Sequence, residues 1–303
     1  MCGIVGILIR DPALEGELGK LLVPMLDALG ERGPDSTGIA IYDRPPAASP
    51  NSEPPWRISL RSSQPSADWD SVRTAVASHT GADIRLHVRT DQAVLTATAD
   101  IQGLLAACAA LAPGVDVLGY GHAVDIVKDV GRAAEVCERY AIADRGGYQA
   151  IAHTRMATES AVTALHSHPF SPSSDLCVVH NGSFSNHASV RRRLQADGVH
   201  FDSDNDSEVA ARFIAGRLAE GDDLEEAMRW LTKELDGFFT LVVSSATAFS
   251  VVRDAFACKP AVVAETGRYV AVASEYRALA TLPGIEEATV FEPAPEEVYT
   301  WSC

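Results

Sequence analysis

The sequence predicts an α+β fold in which stacked β-sheets are covered by layers of helix. Short, continuous, β-branched runs stand near the start of the chain and again near its end, as buried strands do. Stretches with helical spacing of apolar residues occupy the middle. Strands first, helices in the middle and strands last is the order that places helix layers outside stacked sheets.

Residues 3–9 (GIVGILI) read as the first buried strand. From Leu14 to Leu29 the apolar residues Leu18, Leu21, Leu22, Met25, Leu26 and Leu29 recur at helical spacing, and Gly30 stands just beyond as a breaker. Arg32-Gly33-Pro34-Asp35-Ser36 reads as a tight loop, followed by a strand at 37–42. Residues 44–55 are rich in Pro, Ser and Asn and read as a flexible connection. From 56 to 147 the composition is mixed. Strands are predicted at 57–62, 83–89 and 92–98, with helices at 69–78, 100–110 and 131–142. Together, 44–147 reads as an α+β lobe inserted into a domain spanning 1–303.

The core pattern resumes at 148. Strands are predicted at 148–153 and 175–180, and helices at 186–197, 206–219 and 223–235. Short apolar strands follow at 238–244, 248–253, 259–264, 269–273 and 287–291. There is no internal repeat.

A chain of 303 residues can bury a sizeable core. It has 25 Lys and Arg against 41 Asp and Glu, a net charge of −16. That balance argues against binding a nucleic-acid backbone or an anionic membrane surface. It suits a small-molecule substrate, and equally plain solubility. No apolar run approaches the roughly 20 residues of a membrane span, and the start lacks the basic region of a signal peptide. A cytoplasmic protein is expected. The cysteines are Cys2, Cys108, Cys137, Cys177, Cys258 and Cys303. None forms a C-x-x-C pair, so zinc and iron–sulfur signatures are absent. The middle four are expected in the core of a protein kept in a reducing compartment.

Cys2 directly follows the start methionine. Cysteine is small enough for an aminopeptidase to remove Met1, which leaves a thiol and a free α-amine on one residue. The amine, with a reference pKa of about 7.7–8.0, is partly neutral near pH 7–8 and is a built-in base for the nucleophile. An incidental second-residue cysteine is the alternative. Other segments also admit two readings each. Arg32–Gly38 is either a plain turn or part of a site. Arg155, at the end of an apolar strand in HTRMAT, is either a surface ion-pair partner or a fork for a carboxylate. His166-Ser167-His168-Pro169-Phe170 lacks the further ligands a metal would need and reads as a loop shaping a pocket. Asn181-Gly182 is either a simple turn or a pair of donors for an oxyanion. The acidic run Asp202–Glu208 caps a helix, and a carboxylate there also suits a substrate ammonium.

In combination, these residues supply a nucleophile, a carboxylate clamp, two oxyanion donors and an ammonium clamp. The chain resembles the class II (N-terminal nucleophile) glutamine amidotransferases. It carries CGIVGI, RGPDSTG, HTRMAT, SHPF, HNGSFSN and NDSE in that family's order. Val252-Arg253-Asp254, Lys259-Pro260 and Ala273-Ser274-Glu275 resemble its later core segments. The segment 125–131 and the string HTRMATESAV are similar to the glutamine amidotransferase subunit of glutamate synthase and N-methylglutamate synthase-type complexes.

The resemblance implies a four-layer αββα N-terminal-nucleophile hydrolase sandwich with two antiparallel sheets. It implies that Cys2 attacks the side-chain amide of L-glutamine and that Asn181 and Gly182 hold the oxyanion. Arg155 and Asp206 would bind the α-carboxylate and α-ammonium. Thr158 and His168 would support the pocket, and Arg32 would lie in a loop closing over glutamine. Met156 departs from relatives with Trp after the clamp arginine, and the 44–147 lobe has no counterpart in the smallest members. No cofactor is expected on this chain. The resemblance places FMN and iron–sulfur clusters on a partner synthase subunit that would take the ammonia. A stand-alone amidase on another γ-glutamyl amide and a non-catalytic regulatory subunit are the alternatives.

Overall fold

The computed structural model describes residues 2–44, 53–64, 67–111, 114–156 and 162–303. The chain opens with strand β1 (Gly3–Ile9), a 3-10 turn at Pro12–Glu17, helix α1 (Leu18–Ala28) and strand β2 (Ser36–Tyr42). The helical pattern that begins at Leu14 therefore spans two elements. Asp11 caps the turn by accepting from Ala13 N, and the α-helix starts only at Leu18.

Next come β3 (Trp56–Ser62), α2 (Trp69–Thr80), β4 (Arg85–Arg89), β5 (Gln92–Ala97), α3 (Ile101–Leu111) and β6 (Val115–Gly121). The chain continues through β7 (Val124–Val130), α4 (Ala133–Arg139), β8 (Gln149–Arg155) and β9 (Cys177–Phe184). Three helices follow, α5 (His187–Ala196), α6 (Asp206–Ala219) and α7 (Leu224–Glu234). The last part holds β10 (Gly237–Ser244), β11 (Ala248–Arg253), β12 (Val262–Glu265), β13 (Tyr269–Ala273), α8 (Tyr276–Leu279), β14 (Thr289–Phe291) and β15 (Val298–Ser302).

A seven-stranded sheet has the order β14-β12-β13-β1-β8-β2-β7, and a four-stranded sheet has the order β15-β11-β10-β9. Every pairing in both is antiparallel. Alternate residues of β1 explain how the layers stack. Val5, Ile7 and Ile9 pack with Leu18, Leu22 and Met25 of α1, while Ile4 and Leu8 pack with Val179, Val242 and Phe249 of the other sheet. The outer face of the second sheet, through Leu241 and Val243, meets Val209, Phe213, Met228 and Leu231 of α6 and α7. The result is the expected αββα sandwich. β1 is apolar throughout because both its faces are covered. Burial of each large aliphatic side chain contributes about 1.5–3 kcal/mol, so the strand that presents Cys2 is firmly anchored.

β3, α2, β4, β5, α3 and β6 form a separate β-α-β-β-α-β unit with sheet order β4-β5-β3-β6, the ferredoxin-like split β-α-β arrangement. Its helices cover one face around Ile58, Leu60, Trp69, Val76, Leu95 and Leu104. The inserted lobe is thus narrower than the expected 44–147. β7 returns to the seven-stranded sheet beside β2, and α4 joins the α1 core through Val136 and Cys137.

The three strands absent from the sequence reading are β6, β7 and β15. In β7 the reason is chemical. Asp125, Lys128 and Asp129 interrupt the apolar pattern, yet all are buried. Asp125 accepts from Arg89 NH1 at 2.7 Å and Arg145 NH2 at 2.6 Å, and Asp129 pairs with Arg61 at 3.0 Å and with Arg139. The Arg89 and Arg61 pairs and the Gln92 Nε2 bond to Lys128 O at 2.8 Å join the lobe to the main sheet, while Arg145 and Arg139 hold the same carboxylates from the body. The turn between β6 and β7 is clamped by buried Asp175, whose carboxylate accepts from the backbone N–H groups of His122, Ala123 and Val124, each at 2.9 Å. Among the cysteines expected in the core, Cys108, Cys137 and Cys177 are buried. Cys258 is exposed, because it lies in the loop after β11 rather than in a strand.

Burial pushes the Asp125 carboxyl up, but Arg145 and Arg89 outweigh it and hold the group at about 2. The folded value lies below the ordinary 3.8, so this stabilisation is complete above about pH 4 and is lost as pH falls through about 2. Asp125→Asn should lower the unfolding free energy by about 3 kcal/mol at pH 7, because it leaves two arginines without their anion. Urea unfolding of both proteins should show that difference shrinking steadily between pH 4 and pH 2.

Candidate active site

Cys2 stands at the residue before β1, half-buried, with its strand fixed between β8 and β13. Its carbonyl oxygen accepts from Arg32 Nε at 2.9 Å and from Asn181 Nδ2 at 3.2 Å. Two residues on, Ile4 is fastened as tightly. Ile4 N donates to Ser274 Oγ at 2.9 Å, and Ser274 N donates to Ile4 O at 2.9 Å. Glu275 then accepts from Arg32 NH1 at 2.5 Å and from Arg277 Nε at 2.6 Å. The Arg32 hydrogen bond is the main reason that the Glu275 carboxyl is held below its usual range. Arg32 sits on a short 3-10 turn, Gly30–Arg32, which is kept close to β8 by Gly33. A Cβ on Gly33 would overlap the Thr154 and Arg155 backbone.

Arg32 was expected in a loop closing over glutamine. Its side chain is largely buried, with Nε on the Cys2 carbonyl and NH1 on Glu275. It holds the nucleophile's backbone. Ser274 and Glu275 complete that tether, and the sequence assigned them no role. Their signal was the resemblance of Ala273-Ser274-Glu275 to the family's later core segments, with a polar pair directly after a buried strand.

Asn181 and Gly182 occupy the exit of β9, opposite Thr240 and Phe239 of β10. Asn181 is buried and turned toward Cys2. Gly182 has φ +145°, and a Cβ there would strike the Phe238 carbonyl, so only glycine lets β10 approach this closely. Asp206 is the first residue of α6. Its Oδ2 accepts from Phe184 N at 2.9 Å, and its Oδ1 accepts from Ser207 Oγ at 3.3 Å. The same β9 segment that carries Asn181 therefore locates Asp206. Its side chain keeps 20% exposure, and a carboxylate has more acceptor positions than these two bonds use.

Arg155 ends β8, buried, opposite Ser36 of β2. Burial lowers its pKa, and the nearby Cys2 and Asp35 act in the opposite direction. The following residue touches the nucleophile directly, since Met156 N donates to Cys2 Sγ at 3.5 Å. Thr158 lies outside the described residues. The structure thus brings together Cys2, Arg32, Arg155 and Asn181, with Gly182 adjacent and Asp206 joined through Phe184.

His168 lies in the loop between β8 and β9. Its ring lies 4.1 Å from that of His153 and edge-on to Phe170 at 5.1 Å, buried behind β8. Neither ring nitrogen has a hydrogen-bond partner among the described residues. Burial, with His153, His180, Arg155 and Lys128 around it, holds the His168 pKa well below the usual histidine range. His168 therefore packs as a neutral ring behind the site, and no contact with Cys2 is formed. Its carbonyl, not its ring, meets β2, where a Cβ on Gly38 would overlap it. Among the described residues, no group of three or more His, Cys, Asp or Glu side chains is arranged to hold a metal ion. No helix among them is long and apolar enough to cross a membrane.

An αββα sandwich with antiparallel central sheets, presenting a cysteine at the head of a central strand, has the architecture of the N-terminal-nucleophile hydrolases. Residues 153–281 match a family described as the glutamine amidotransferase domain. The chain is 46% identical over 302 residues to the glutamine amidotransferase-like protein GlxB of Rhizobium meliloti (strain 1021), covering 99% of this chain and 98% of that protein. It is 31% identical to a putative glutamine amidotransferase of Methanothermobacter thermautotrophicus, covering 99% of each. The fold is similar to the allosteric regulatory enzyme of purine biosynthesis, with TM-score 0.64 at 19% identity, covering 99% of this chain and 46% of that one. It is also similar to the glutamine phosphoribosylpyrophosphate amidotransferase of B. subtilis, with TM-score 0.61 at 18% identity, covering 99% and 49%. The chain spans about half the length of these solved chains. It belongs to the class II glutamine amidotransferases, which are glutamine-hydrolysing enzymes.

Because Glu275 reaches Cys2 only through Arg32, it is a positioning residue. Glu275→Gln should reduce kcat for glutamine hydrolysis about 10²-fold, the scale of a misplacement of roughly 1 Å, with KM within a few-fold of wild type. Steady-state glutamate release gives both constants. A large rise in KM alone would show that Glu275 acts on substrate binding instead.

Proposed function

We propose that this protein hydrolyses L-glutamine to L-glutamate and ammonia through a Cys2 γ-glutamyl thioester. The observation that carries this reading is the 3.2 Å bond between Asn181 Nδ2 and the Cys2 carbonyl, which joins residues 179 positions apart. It sets a fixed amide donor beside the nucleophile, next to the unobstructed N–H of Gly182. In this reading, removal of Met1 frees the Cys2 α-amine. The thiol sulfur adds to the amide carbon of glutamine, and the amine takes the thiol proton. Asn181 and Gly182 stabilise the resulting oxyanion. The tetrahedral species collapses, the amine returns the proton to nitrogen, and ammonia leaves. Water then adds to the thioester, which releases glutamate and restores the thiol.

Arg155 binds the substrate α-carboxylate, with the two parallel donors of its guanidinium. Asp206 binds the α-ammonium. Thr158 contributes to the pocket beyond Arg155, while His168 supports it from behind through packing. Arg32 keeps the Cys2 backbone in register during these steps.

We further propose that the ammonia passes to a separate synthase subunit of the glutamate synthase or N-methylglutamate synthase type. The similarity of segment 125–131 and of HTRMATESAV to the glutamine amidotransferase subunit of such complexes supports this assignment. So does the exposure of Met156, whose N–H donates to Cys2 Sγ, since an exposed apolar side chain beside a site suits a partner's surface. The FMN and iron–sulfur clusters of such a complex belong to the partner in this reading, and this chain needs none.

Cys2→Ala should abolish glutamate release while leaving the melting temperature unchanged. Intact-mass measurement of the active protein should show Met1 removed. Full activity in Cys2→Ala would sink the mechanism, and an active enzyme that retains Met1 would remove the α-amine from it. Asn181→Ala should lower kcat about 10²–10³-fold, with kcat/KM falling in parallel. Co-purification with flavin-containing subunits, and a rise in glutaminase rate upon their addition, tests the synthase assignment separately.

A further inference from the structure

A buried lysine lies away from the Cys2 site. Lys128 is only 4% exposed on β7, and its ammonium has neither an ion pair nor a hydrogen bond among the described residues. It lies over the Phe170 ring, with Nζ 5.5 Å from the centroid. Burial lowers the amine to about 8, so it is mostly charged at neutral pH. Glu208 is close enough to favour that charge, but its carboxylate is already occupied. It accepts from Asp202 N at 2.9 Å, Ser203 N at 2.8 Å and Ser203 Oγ at 2.7 Å, and pairs with Arg212 at 3.2 Å. A buried cation without an anion is costly unless something supplies one.

Lys128 lines a cavity of about 90 Å³ between the lobe, the main sheet and the start of α6. Val117 and Leu118 of β6 and Phe170 give it apolar walls, and Asp202 and Glu208, both paired with Arg212, also line it. Ser171 Oγ, buried and close enough to the Cys177 thiol to hydrogen-bond to it, also lines it, and its oxygen has capacity for a further partner. A water needs roughly 10–15 Å³ by this measure, so the space holds a ligand of a few heavy atoms and excludes a nucleotide. We propose that this cavity binds a small carboxylate, with its charged end on the Lys128 ammonium and Ser171 Oγ and its hydrocarbon end against Val117, Leu118 and Phe170. A bare inorganic anion satisfies the lysine but leaves the apolar walls unfilled.

The test is isothermal titration of the full-length protein with sodium propionate, alongside sodium sulfate at matched ionic strength. Propionate should bind with one-to-one saturation in the millimolar range, as a ligand of its size allows, and should raise the melting temperature. Lys128→Met should weaken it at least tenfold and Ser171→Ala several-fold. Arg155→Gln should leave it unchanged, which separates this site from the proposed glutamine site. Should Lys128→Met fail to fold, the Ser171→Ala result decides. No saturable binding, equal binding in Lys128→Met or Ser171→Ala, or loss of binding in Arg155→Gln would each overturn the proposal. Sulfate binding as tightly as propionate would overturn the choice of ligand.

Discussion

The carbonyl oxygen of Cys2 accepts two hydrogen bonds from distant parts of the chain, from Arg32 on the turn after α1 and from Asn181 at the exit of β9. These bonds tie the nucleophile's backbone to both sheets of the sandwich. β1 lies within the seven-stranded sheet, whereas β9 is the edge strand of the four-stranded one. The relative placement of the sheets therefore sets the distance between thiol and amide donor. The apolar layer between them, built from Ile4, Leu8, Val179, Val242 and Phe249, fixes that placement. Close-packed cores resist displacement, so the site inherits its precision from hydrophobic burial at some remove from the chemistry.

Behind the nucleophile the polar groups are arranged in series. Glu275 holds Arg32, and Arg32 holds Cys2. Phe184 N holds Asp206, and β9 carries both Phe184 and Asn181. Such chains convert a few backbone positions into the directions of several functional side chains. The buried rings of His153, His168 and His180 contribute differently. Burial depresses the pKa of each below the usual histidine range, so they add volume close to Arg155 without adding charge that would compete with it.

The inserted lobe follows another rule. Its own core is apolar, but its seam with the main sheet carries ion pairs, from Arg61 and Arg89 of the lobe to Asp129 and Asp125 of β7. A buried ionic seam gives less stability than an apolar one of equal size, yet it specifies geometry, because each charge has few acceptable positions. β7 belongs to the main sheet and also carries the acidic half of this seam. It is thereby the mechanical link between lobe and body, and it is also the strand that carries Lys128.

The sequence by itself determined the layered α+β fold and the family. Continuous apolar runs such as 3–9 are read from local pattern, and Cys2, Arg155, Asn181, Gly182 and Asp206 lie in motifs whose residue types suit one chemistry. Only the tertiary structure decided what pairs with what. The charged pattern of β7 hides a buried strand, since its partners Arg61, Arg89 and Arg145 lie far away in sequence. Nothing in the sequence pairs Arg32 with the Cys2 carbonyl and Glu275, or sets the His168 ring against that of His153. The periodicity of a chain records which residues are buried, because burial follows from local geometry and side-chain type. It carries no record of which buried charge meets which, because those contacts form only when distant strands come into register.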